Sequence, residues 1–142
     1  MSNINISLIE KLIEKTKHHS LKWVKLSESN MQLKPLAENP FGLMKQAIGD
    51  DGIYHVNNEN SYISSYANGT FALLLYDAVL FESYVCLRVQ TADSPNSKVY
   101  LSTNVTENVN EVAQLKRLYN LINDTYTSLD IDTFIDDFIN GI

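Results

Sequence analysis

The chain has 142 residues and a formal charge of −6, with 44% hydrophobic, 10% aromatic and 20% charged residues. That length fits a single domain, 1–142, large enough to bury about two-thirds of its surface without disulfides or a metal. The composition is too apolar for a disordered chain, and 5 Gly with 3 Pro exclude collagen-like or linker-like sequence.

Ser7-Leu8-Ile9-Glu10 fits a capping box, so a helix is expected from Ser7, with Ile9, Leu12, Ile13 and Thr16 on one face and an end near His18-His19. Leu21–Leu26 reads as a short strand with Leu21 and Trp23 on one side and Val24 and Leu26 on the other. Ser27–Leu36 is turn-rich. Asn39-Pro40 and Gly49 bracket an expected short helix over Pro40–Ile48, and Asp50–Asn60 reads as loop.

The Asn68-Gly69 step between Tyr62–Ala67 and Thr70–Asp77 predicts a hairpin with both turn residues at positive φ. That register sets Tyr66 against Phe71, Ser64 against Leu73 and Tyr62 against Leu75. Ser83–Thr91 alternates Val85, Leu87 and Val89 against Tyr84, Cys86, Arg88 and Gln90, and Lys98–Thr103 follows a turn cluster. Asn108 caps an expected helix over Val109–Thr127, with Val112, Leu115, Leu118, Tyr119, Ile122 and Tyr126 as its apolar stripe. Asp130 or Asp132 caps a last short helix carrying Ile131, Phe134, Ile135, Phe138 and Ile139, and Gly141 stops it. The predicted class is α+β: an antiparallel meander of four to five strands, with the N-terminal helix and two C-terminal helices packed mainly on one face.

Charge is segregated along the chain. Residues 1–71 carry seven basic and seven acidic residues, whereas 72–142 carry four and ten. Lys11, Lys15, Lys17, Lys22 and Lys25 make the start basic. Asp124, Asp130, Asp132, Asp136 and Asp137 follow one another with no basic residue among them. A net negative domain is repelled by nucleic acid and by anionic membranes, so neither is an expected direct partner. No stretch reads as a membrane span. The single Cys86 rules out an internal disulfide framework or a multi-cysteine zinc site and, with no signal-peptide pattern at the start, leads to an expected cytoplasmic location. The abundance of Asn, Ile and Lys suits an AT-rich bacterial or phage genome.

Motifs for chemistry are sparse. Adjacent His18 and His19 point about 100° apart on a helix, which suits the helix dipole better than a metal. His55 has no nucleophile or orienting acid beside it in sequence. The run from Asp130 imitates a calcium loop only at its opening, because Ile135 and Gly141 stand where glycine and glutamate are needed. Cys86 reads as a buried hydrophobe, although Arg88 on its face can lower a thiol's pKa. Neither metal nor cofactor is expected, and phosphate-loop, dinucleotide and nucleophile-elbow motifs are missing.

The leading functional expectation is therefore a small protein–protein interaction module (inhibitor, adaptor or immunity-type protein, homodimer included) without catalytic activity. Its partner-binding candidates are Val79, Leu80 and Phe81, apolar where a hairpin loop should be polar, and Asp132, Asp136 and Asp137. Eight tyrosines, several beside serines, lean the same way. The first alternative is a small-molecule binder or enzyme with a pocket between sheet and helices, using Trp23, His55, Tyr76 and Arg88. The second is an acidic mimic that blocks a nucleic-acid-binding protein.

Overall fold

A computed structural model describes residues 3–34, 54–104 and 106–141. The short helix expected at Pro40–Ile48 and the first part of the loop at Asp50–Asn60 lie outside the described residues. Helix α1 (Asn3–Lys17) begins before Ser7, which stands inside the helix and not at its cap, because nothing in Asn3–Ile6 breaks a helix. Its apolar face is the expected one: Ile9, Leu12 and Ile13 are buried. It ends where the two histidines stand. His19 takes the left-handed conformation, with φ 59°, and the Ser20 and Leu21 amides both donate to the Lys15 carbonyl at 3.0 and 3.2 Å. This is a helix stop of the kind usually built on glycine.

Among the described residues six strands follow: β1 (Val24–Lys25), β2 (His55–Val56), β3 (Tyr62–Tyr66), β4 (Gly69–Asp77), β5 (Tyr84–Thr91) and β6 (Lys98–Ser102). They form one antiparallel sheet in the order β1-β3-β4-β5-β6, with β2 pairing to the far end of β4. The strand expected over Leu21–Leu26 shortens to the two residues that can pair with β3. The predicted hairpin forms, but its register is moved by two. Tyr66 pairs with Gly69, Ser64 with Phe71 and Tyr62 with Leu73. Ala67 and Asn68 make the turn, and of the turn positions only Ala67 has positive φ, at 53°. Gly69 instead opens the nine-residue β4 and pairs with Thr91 of β5, while the Ala92 amide donates to the Asn68 carbonyl at 2.8 Å. The long β4–β5 ladder thus takes the glycine into the strand.

Side-chain alternation splits the core into two. Tyr62, Leu73, Val85 and Leu87 face the helices, with Phe71 and Leu75 packed beside them. Ile63, Ala72, Leu74, Tyr76, Tyr84 and Cys86 face the other way, under Leu26, Leu33, Tyr54 and Val56. A bulge places two β6 residues, Val99 and Leu101, opposite the adjacent Arg88 and Leu87, so that Leu101 joins the helix-side core and Val99 the other. The helices cover one face, as expected, and the irregular segment before residue 35 lies on the second.

The two predicted C-terminal helices are two halves of one, α2 (Val109–Ile139), 31 residues long. Asn108 caps it through its side chain, which accepts from the Glu111 amide at 3.1 Å, and Gly141, with φ 75°, follows its end. Neither Ser128 nor Asp130 interrupts it. Its first half packs on α1 and the sheet through Leu115, Leu118 and Ile122. Three tyrosines tie that half to the rest. Tyr119 donates to the Asn60 carbonyl at 2.6 Å, Tyr126 to the Trp23 carbonyl, and Tyr62 to Asn123 Oδ1 at 2.7 Å.

Candidate functional site

At 3.6 residues per turn, α2 spans about 46 Å, and only its first half has the fold beneath it. In the second half Ile131 is 56% exposed, Phe134 67%, Ile135 45%, Phe138 74% and Ile139 71%. Their spacing, i, i+3, i+4, i+7 and i+8, gathers them into one stripe. The stripe is on the side away from the sheet. Each of these residues follows Ala113, Lys116, Arg117, Asn120 or Leu121 by eighteen positions, which is about five full turns. They therefore continue the outer side of the helix, while the line of Leu115, Leu118 and Ile122 continues into Thr133, Asp136 and Asn140. The apolar face crosses to the opposite side of the helix between its two halves. Asp132, Asp136 and Asp137 are exposed and flank or back the stripe.

The outer side of the first half is a groove against α1. One cleft of 560 Å³ is lined by Lys17, Ala113, Lys116, Arg117, Asn120, Leu121 and Asp124. Next to it, sharing Lys17 and Leu121, an apolar cleft of 420 Å³ runs under Leu21, Trp23, Val24, Ile122 and Tyr126, with His19 and Lys22 also on its lining. Lys17, Lys116 and Arg117 are exposed. The ion pair among the described residues, Lys11 with Glu14 at 2.9 Å, engages none of them.

The Ala78–Phe81 connection is at the surface and not in the core: Val79 is 96% exposed and Leu80 85%. Phe81 leans toward Tyr54, with ring centroids 6.2 Å apart.

The four pocket candidates do not converge on one pocket. Trp23 is buried at the edge of the apolar cleft, and its indole N–H donates to Thr16 Oγ1 at 2.9 Å. His55 is exposed on β2. Tyr76 and Arg88 do meet, but inside the second core. The Arg88 guanidinium donates to Ser97 Oγ at 2.8 and 3.2 Å, to the Lys34 carbonyl at 2.7 Å and, at a longer 3.4 Å, to the Tyr76 hydroxyl. Gln90 continues the job, donating to the Gln32 carbonyl at 3.1 Å and accepting from the Lys34 amide at 2.8 Å. Arg88 and Gln90 thus hold residues 32–34 across the sheet. Cys86 is fully buried beside them. Burial pushes its thiol up to about 12, far more than the Arg88 charge lowers it, so Cys86 is the buried hydrophobe expected and carries no thiolate near neutral pH. Among the described residues no three His, Cys, Asp or Glu side chains converge as metal ligands, and no helix is long and apolar enough to cross a membrane.

The partner-binding candidates chosen from sequence included the aspartates of the second half of α2 but missed the apolar stripe between them. The stripe reads from sequence as a core face, because periodicity reports which side is apolar and not what lies against it. The signal that separates the two is the phase: a single core-facing stripe cannot cross to the opposite side of an uninterrupted helix. Compared with family models, curated proteins and solved structures, the chain matches none.

Proposed function

We propose that this protein is a small protein–protein interaction module that acts without catalytic chemistry. The observation that carries this reading is the stripe Ile131, Phe134, Ile135, Phe138 and Ile139, exposed along the second half of α2. Contiguous exposed apolar side chains of this size on a helix are the form in which an amphipathic helix enters a groove on a partner. Asp132 flanks the stripe and Asp136 and Asp137 lie behind it, so this end of the helix is negative as a whole, which favours a basic receiving surface and hastens encounter with it. Val79, Leu80 and Phe81 form a second, smaller contact.

The test is capture with a tagged chain, scored for any stoichiometric partner, a differently tagged copy of the same chain included. The reading expects a partner that Phe134→Ser/Phe138→Ser loses while the domain still unfolds cooperatively. Equal recovery by wild type and this variant, or recovery of nothing by either, overturns it. A second reading, a small apolar ligand in the 420 Å³ cleft beside Trp23, is favoured by that cleft alone. It predicts a ligand-dependent change in the fluorescence of this single tryptophan.

A further inference from the structure

The stripe and the groove are two stretches of one side of one helix, and their chemistry is complementary. From residue 127 onward the chain holds Asp130, Asp132, Asp136 and Asp137 and no Lys or Arg. The groove presents Lys17, Lys22, Lys116 and Arg117 against Asp124 in these two clefts, over an apolar floor of Ala113, Leu121, Leu21, Trp23 and Val24. The adjoining cleft between α1 and α2, which shares Lys17 and Arg117, adds Glu10 and Glu14, the latter paired with Lys11. A chain with an acidic apolar ridge and a basic apolar groove carries both halves of an interface. Resting on the interaction reading above, we propose that the occupant of the groove is a second copy of this chain. The last turns of α2 of each copy lie along the α1–α2 groove of the other, in a reciprocal two-fold pair.

The spacing suits such a pair. With the long helices antiparallel and the axis level with residue 127, Phe138 of one copy is level with Lys116 of the other and Phe134 with Asn120. Because ridge and groove share one side of α2, the same rotation seats both ridges, and the assembly closes at two copies. A single contact along about 20 Å of helix is small beside the roughly 1,600 Å² of a standard interface, and reciprocity doubles it. Pairing ridge against ridge would also bury the stripes, but it would bring the aspartates of both copies together with no cation between them. The segregation of basic residues to the start of the chain and acidic residues to its end acquires a reason: each finds its complement in the other copy.

The test is sedimentation velocity of the whole chain over a wide concentration range, with variants confined to exposed residues and each checked for a cooperative unfolding transition. Wild type should pass from monomer to dimer with concentration, and a change in Trp23 fluorescence should follow the same curve. Phe134→Ser/Phe138→Ser and Lys17→Glu/Lys116→Glu/Arg117→Glu should each raise the dimer Kd at least about thirtyfold, the scale of a lost hot spot. Mixing that groove variant with Asp132→Lys/Asp136→Lys/Asp137→Lys should restore a dimer that neither forms alone. A wild type that stays monomeric throughout overturns self-docking and leaves the wider interaction reading to its capture test. A groove variant that dimerises like wild type overturns the ridge-in-groove arrangement in favour of ridge-on-ridge. A dimer indifferent to Phe134→Ser/Phe138→Ser overturns both this proposal and the stripe's role in association.

Discussion

The two halves of α2 have similar helical spacing of apolar residues and opposite fates. In the first, Leu115, Leu118 and Ile122 are essentially out of water. In the second, Ile131, Phe134, Ile135, Phe138 and Ile139 stand in it. Helical periodicity is common to both, so it is not what buries a side chain. What differs is whether a second surface lies against the stripe. A helical extension of about thirteen residues is marginal in water on propensity alone. The second half therefore depends on the helix it continues and on whatever covers its apolar side.

The contrast is sharpest under truncation. Leu118→Ala should cost about 2–5 kcal/mol of unfolding free energy, the range for opening a cavity in a packed core. Phe134→Ser/Phe138→Ser should stay within about 0.5 kcal/mol in dilute solution, where nothing covers those side chains. Urea denaturation of both variants at low protein concentration checks the pair. Equal losses would mean that the second half of α2 is part of the fold.

Arg88 extends the same comparison to the two faces of the sheet. Replacing it with alanine removes the donors to Ser97, Tyr76 and the Lys34 carbonyl, and should cost about 1.5–3 kcal/mol. It should also raise protease sensitivity around residues 32–34 while leaving α1 and α2 protected. Loss of helix protection instead would mean that the two cores do not separate as described.

Cys86 gives a pH signature for the second core. Its thiol holds its proton up to about 12 in the folded state, above an ordinary value of 9.0. Above pH 9 the unfolded chain binds fewer protons than the folded one, so stability falls as pH rises, by up to about 1.4 kcal/mol per pH unit. The loss continues toward pH 12 and is absent below the ordinary value. The difference between wild type and Cys86→Ala across this window isolates the effect, and coincident profiles would contradict the burial. The smallest effect expected is at the exposed Lys11–Glu14 pair, where Lys11→Ala should leave the denaturation midpoint unchanged.

Much of this architecture is legible in the sequence because it rests on local chemistry. Alternation in Tyr84–Thr91, the turn after Tyr66, the Asn108 cap and the Gly141 stop each announce themselves within a few residues. The hairpin register does not, since a shift of two leaves every side chain on the same face and hydrophobic pattern cannot tell the two pairings apart. Arg88 reads from sequence as a pocket candidate and not as a structural tie, because its acceptor, the Lys34 carbonyl, is 54 residues away. The aspartates on α2 were readable as a contact candidate from charge alone. The stripe was not, until the uninterrupted helix fixed its phase against Leu115, Leu118 and Ile122.

The most direct test is hydrogen exchange along α2 at low and high protein concentration. In dilute solution the amides of Ile131–Ile139 should exchange orders of magnitude faster than those of Leu115–Ile122, and concentration should slow them in wild type but not in Phe134→Ser/Phe138→Ser. Protection of both halves that is equal in dilute solution and indifferent to concentration would contradict the account, because the second half would then need no partner.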